Sequence, residues 1–272
     1  MTRLLIALGM MLIACAAPAG AVSLSDALVE RMRATQVVIL GEVHDNPAHH
    51  RVQAAAVAAL APRAVVWEML TAEVAAKLTP QIIADPAALA EVTDWDTSGW
   101  PPLEMYLPVF RAAPGAAQVG ALVPRSRARG VMETGAVAAF GADAARYGLA
   151  DPLPAAEQAA READQLAAHC DALPQEMLPM MVEIQRLRDA GLARAALHAL
   201  EQTGGPVVVI TGNGHARADR GVPVYLRRAA PEVAVFALGQ SEAGQVSGTF
   251  DAVVDGPATE RPDPCAGFSK PD

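Results

Sequence analysis

Three short runs in this chain hold nothing but apolar residues: Val37-Val38-Ile39-Leu40, Ala64-Val65-Val66-Trp67 and Val207-Val208-Val209-Ile210. Runs of four, rich in β-branched side chains, are too short for buried helices. A strand that is apolar on both faces must be covered on both. The first run ends at Gly41. Asn46-Pro47 then offers a cap residue followed by proline at the first helical position, which predicts a helix to about Leu60. Gln118 to Val123, Val233 to Leu238 and the segment near Phe250 to Val254 read as further strands. Strands alternating with helices predict an α/β fold whose mainly parallel sheet is flanked by helices. Two helical stretches, about 71–115 and 133–200, are too long for simple crossovers and are expected as insertions forming a smaller helical subdomain.

The chemistry-bearing residues follow the strands. Glu42 and His44 lie after the first, Glu68 closes the second, Arg125 follows the third, and Thr211-Gly212-Asn213-Gly214-His215 follows the fourth. In an open parallel sheet the carboxyl ends of neighbouring strands border one crevice, so these groups can converge. Two carboxylates and two imidazoles buried together are costly without a metal, a ligand or ion pairing. Glu42, His44, Glu68 and His215 are therefore candidate ligands of a divalent metal, with Glu42 or Glu68 as general base in a hydrolase. The spacing is not that of a HExxH helix, and no GxSxG elbow is present to support a serine mechanism.

The N-terminus sets the compartment. Arg3 precedes an apolar run from Leu4 to Ala14, too short to span a bilayer and suited to a signal peptide. Leu12-Ile13-Ala14-Cys15 fits a lipobox, which makes residues 1–14 a lipoprotein signal and Cys15 the lipidation site. Cleavage after Ala19 or Ala21, giving a soluble periplasmic protein, is the alternative. Ala16 after Cys15, in place of aspartate, leans towards the outer membrane. With Cys15 acylated, Cys170 and Cys265 remain as an even pair, expected to form a disulfide outside the cytoplasm. A formal charge of −9 disfavours nucleic acid as a partner.

Motifs extend this reading along the chain. GEVHDNPAHHRVQ (41–53), WEML (67–70), Trp95 with Trp100 and Tyr106, HCDALP (169–174), IQRLRD (184–189), GNGHARADRGVP (212–223) and RPDPC (261–265) occur in order. Together they resemble the ChaN family of haem-binding uptake lipoproteins, within the Tiki and erythromycin-esterase-like superfamily. The resemblance covers a ChaN-like domain over 23–272. It implies a parallel-sheet domain with a smaller helical one, haem as cofactor and partner, a role in iron acquisition, and a lipid anchor. A homodimer is also considered.

For haem, tyrosinate, histidine and methionine are chemically possible axial ligands. Tyr106 leads a short group that includes Tyr147 and Tyr225. His50, His215, Arg217 and Arg220 are candidates to meet the haem and its propionates, while Met177, Met180 and Met181 could line a slot. The superfamily kinship keeps the metal-dependent hydrolase open, with Glu42, His44, Glu68 and His215 supplying its site.

Overall fold

The computed structural model describes residues 24–263 and 265–268. The expected signal segment, its alternative cleavage points and Cys15 lie outside the described residues. Among those described, no helix is long and apolar enough to cross a membrane.

Six strands form one sheet: β1 (Val37–Leu40), β2 (Ala64–Trp67), β3 (Ala117–Gly120), β4 (Val207–Ile210), β5 (Val235–Glu242) and β6 (Ala252–Gly256). Their order is β3-β2-β4-β1-β5-β6, and every neighbouring pair is parallel. The fold is α/β, as the apolar runs predict.

Strand alternation builds two cores. Val37, Ile39, Val66, Val207 and Val209 face the helices Leu178–Thr203 and Val222–Ala229. Val38, Leu40, Val65, Trp67, Val208 and Ile210 face the helices Pro47–Leu60 and Leu103–Ala112. Each fully buried aliphatic side chain contributes about 1.5–3 kcal/mol gross, which explains why four-residue strands suffice once both faces are covered. The two stretches expected as insertions each supply one of these covering helices. In the longer one, Ala190, Ala193 and Ala196 lie fully buried and let the helix approach the sheet closely.

The strand boundaries differ from the sequence expectation at three places. β3 ends at Gly120 rather than Val123, and Gly120 lies so close to the Thr71 carbonyl that a side chain there would collide with it. Beyond it the chain bonds to the end of β2 through Ala121 N to Trp67 O and Leu122 N to Leu70 O. β5 runs on through polar Gln240 and Ser241 to Glu242. Gln240 is buried there because its amide nitrogen donates to the Gly41 and His49 carbonyls. β6 starts at Ala252 rather than Phe250.

Cys170 and Cys265 form the expected disulfide, with Cα atoms 5.3 Å apart. Ahead of it, Arg261 ties the tail down with hydrogen bonds to both Asp45 and Glu242.

Candidate functional site

Register decides where the site forms. Leu40 stands level with Ile210 on one side and Leu238 on the other, and Trp67 stands level with Ile210. The residues leaving β1, β2 and β4 therefore emerge side by side, and Glu42, Glu68 and Thr211 become neighbours. Gly41 permits this, since a Cβ there would come within 2.5 Å of Asn213 Oδ1. The loops then join through Asn213 N donating to the Glu42 carbonyl at 2.8 Å.

Glu42 is the hub of the first half. Its Oε1 accepts from the Tyr106 hydroxyl at 2.8 Å and meets His44 Nδ1 at 2.7 Å. Its Oε2 lies 3.3 Å from His50 Nδ1 without a hydrogen bond of good geometry. His50 Nε2 is 2.8 Å from the His44 carbonyl, which can only accept, so this nitrogen carries a proton. His49 is similarly fixed: its Nδ1 accepts from the Val43 N–H at 2.9 Å, leaving Nε2–H to point at the Ser241 carbonyl. Burial holds the His49 pKa below its ordinary value, in keeping with a neutral structural ring.

His44 differs from these two. Its side chain is 33% exposed, its Nδ1 is held by Glu42, and its Nε2 has no partner among the described residues. The ring stands edge-on to Trp100 with centroids 5.0 Å apart. Gly212 lies beneath it, where a Cβ would sit 2.9 Å from Nε2. Burial pulls the His44 pKa down, but the Glu42 hydrogen bond and the charges of Glu68, Glu42 and Asp45 outweigh it and raise it to about 9.

Glu68 organises the second half. Its Oε2 accepts from Thr211 Oγ1 at 2.6 Å and Gly212 N at 2.8 Å, and its Oε1 lies 3.5 Å from His215 Nε2. Burial pushes this carboxyl up, yet the charges of His215 and His44 with the two hydrogen bonds hold it below its ordinary value. His215 is buried and bound through Nδ1 to Asp189 Oδ1 at 2.6 Å. Burial lowers the His215 pKa, but Glu68 and Asp189 together raise it.

Glu42, His44, Glu68 and His215 are thus brought together as two carboxylate–imidazole pairs. Among the described residues no group of three His, Cys, Asp or Glu side chains forms a site for a metal ion.

The haem candidates separate sharply. Tyr106, Tyr147 and Tyr225 are 0%, 2% and 4% exposed. The Tyr106 hydroxyl donates to Glu42, and burial, with the Glu42 charge and hydrogen bond, pushes its pKa upward. His50 is fully buried, and His215 is closed in by Asp189. Arg217 is paired with Asp219 and Asp164, and Arg220 with Asp164. Met180 and Met181 are partly buried against the core, and Met177 is part-exposed in the turn before the long helix.

Sequence reasoning missed Asp189 and Arg188. Both stand in IQRLRD on the Leu178–Thr203 helix, whose approach to β4 is not encoded locally. The available signal was an aspartate and a glutamine four residues apart, Gln185 and Asp189, on one side of an otherwise core-facing helix.

Comparison with known proteins agrees with this architecture. A solved structure described as cofacial heme binding to ChaN of Campylobacter jejuni superposes with a TM-score of 0.63 at 19% identity, covering 82% of this chain and 87% of that one. The type III effector HopBA1 gives a TM-score of 0.44 at 13% identity over 85% and 92% of the two chains, too low to argue a shared fold. A comparison with curated proteins finds no match. Residues 28–226 match the family described as haem-binding uptake, Tiki superfamily, ChaN, and the chain belongs to that family.

Proposed function

We propose that this protein binds haem at the crevice over β1, β2 and β4, with His44 Nε2 as its ligand to iron, and that it serves haem or iron uptake as a lipid-anchored protein of the bacterial envelope. The observation that carries the binding site is His44 itself, a half-buried imidazole whose far nitrogen is engaged by a carboxylate and whose near nitrogen has no partner among the described residues. The family supports haem as the ligand. The lipobox at Cys15 supports the anchor.

Haem, when bound, would supply the iron, and the His44 imidazole would be the side chain that holds it. Glu42 accepts the Nδ1 proton, which fixes the ring's orientation and leaves the Nε2 lone pair for the ligand when the ring is neutral. Since, against burial, Glu42 and the nearby carboxylate charges raise the His44 pKa, Nε2 would have to give up a proton before it could hold the group. Trp100 and Gly212 hold the ring from its edge and from below.

The test is a haemin titration of the folded protein read by visible absorption. A saturable Soret change that persists in Tyr106→Phe and is lost in His44→Ala supports the reading. No saturable binding, or equal binding by His44→Ala, overturns it. Sedimentation with and without haemin tests the homodimer.

A second reading, hydrolysis, is favoured by the same pair, since an imidazole oriented by a carboxylate is also a general base. A divalent metal on Glu42, His44, Glu68 and His215 would have to break the pairing of these groups with one another. Ester hydrolysis that vanishes in His44→Ala without haemin binding would favour this reading.

A further inference from the structure

Adjoining the His44 crevice, and sharing Trp100 and Glu68 with it, lies a cleft of about 250 Å³ lined also by Leu122, Leu192, Arg125 and Arg188. Arg188 is the one partly buried arginine among the described residues that makes no hydrogen bond or ion pair. Its neighbour Arg186 shows the contrast. Two residues earlier on the same helix, Arg186 bonds Glu183 and the carbonyls of Gly148 and Asp151. Arg161, Arg217 and Arg220 are likewise paired with carboxylates.

An unpaired guanidinium held partly out of water loses hydration without compensation, and a planar oxyanion offers the bidentate partner that fits it. Glu68 does not neutralise it. That carboxylate is turned away, with Oε2 taken by Thr211 and Gly212 and Oε1 towards His215. Arg125, also without a partner, opens the Arg125–Phe140 helix and reaches across the cleft mouth towards Gly99.

We infer that this cleft is a carboxylate-binding subsite, with Arg188 and Arg125 as its two cationic arms and Trp100, Leu122 and Leu192 receiving the apolar body behind the carboxylate. At about 250 Å³ it falls below the roughly 300–1,000 Å³ of pockets for drug-sized ligands. It therefore takes either a small apolar organic acid whole or one carboxylate arm of a larger molecule lying over the crevice. The inference does not depend on the haem reading, which bears only on the source of the carboxylate.

Calorimetric titrations of the folded protein with benzoate and with haemin test it. Saturable benzoate binding is expected, weakened about tenfold or more in Arg188→Gln and weakened in Arg125→Gln. Arg188→Lys should recover part of the loss, and Arg217→Gln, whose partners lie elsewhere, should bind benzoate as the parent does. Unchanged thermal unfolding of each variant excludes misfolding as the cause. If haemin is also weakened by Arg188→Gln and displaced by benzoate, the subsite receives a haem carboxylate. If benzoate alone is affected, the subsite takes a free acid, and this holds even should haemin not bind at all. Absence of saturable benzoate binding, or equal affinity in Arg188→Gln, overturns the inference.

Discussion

Glu42 receives His44 Nδ1 and the Tyr106 hydroxyl on the same carboxylate oxygen, at 2.7 and 2.8 Å. One oxygen thereby links a half-buried imidazole to a fully buried phenol, and the two partners answer different tests.

Tyr106→Phe should lower stability by about 1–3 kcal/mol, the cost of removing a hydrogen bond to a buried charged group. Haemin affinity should change little, because the phenol supports Glu42 from behind. Chemical denaturation and haemin titration of the same preparation separate the two effects.

The His44 ring should titrate near pH 9 by NMR, and Glu42→Gln should bring the midpoint back towards the ordinary 6.5. A pKa raised in the folded state contributes stability that is full below about 6.5 and lost as pH rises through 9. Unfolding midpoints at pH 6.5 and 9.5 should therefore differ less in Glu42→Gln than in the parent, after allowing for other titrating groups through the His44→Ala control.

Gly212→Ala places one methyl 2.9 Å from His44 Nε2 and 3.2 Å from Cε1. The backbone at Gly212, with φ −64° and ψ 153°, suits alanine, so the strain falls on the imidazole. Stability should move by less than about 1 kcal/mol, while haemin affinity falls as the ring is displaced. Equal affinity would place the iron ligand elsewhere.

Asp189→Ala removes one partner of the buried His215 pair and should cost about 3–5 kcal/mol by chemical denaturation. His215 then keeps only Glu68, at 3.5 Å, as a carboxylate partner, with Gln185 beside it.

Arg261 closes the tail on Glu242, and its hydrogen bonds, against a small burial effect and helped by Asn46 and the Thr259 N–H, bring that carboxyl down to about 2. A depressed pKa contributes stability present above the ordinary 4.5 and lost as pH falls towards 2. Arg261→Ala should flatten the loss of stability between pH 5 and 3. Urea midpoints at those two values measure it.

How much of this was legible in the sequence follows from where each constraint resides. β1, β2 and β4 could be read because burial on both faces demands unbroken apolar runs, a property local to four residues. Glu42, His44, Glu68 and His215 could be read because strand ends in a parallel sheet share an edge. Gln240 was hidden, since a polar residue in a buried strand makes sense only once the Gly41 and His49 carbonyls stand opposite it. Asp189 and Arg188 were hidden because their faces of a long helix acquire meaning only from the strands it crosses. The Tyr106 hydroxyl's bond to Glu42 was hidden, since the two residues lie far apart in the chain and meet only once the helix carrying Tyr106 packs beside the end of β1.

The strand order also fixes when the site can come into being. Val37 stands opposite Val207 on one side and Val235 on the other, while β1 and β2, made in succession, are kept apart by β4. A growing chain can pair β2 with β3 early, but it carries its first strand unpaired until most of the polypeptide exists. Long-range parallel pairing of this kind is slow to nucleate and leaves sticky edges in the meantime. A truncated product ending before Val207 would therefore have nowhere to put its first strand.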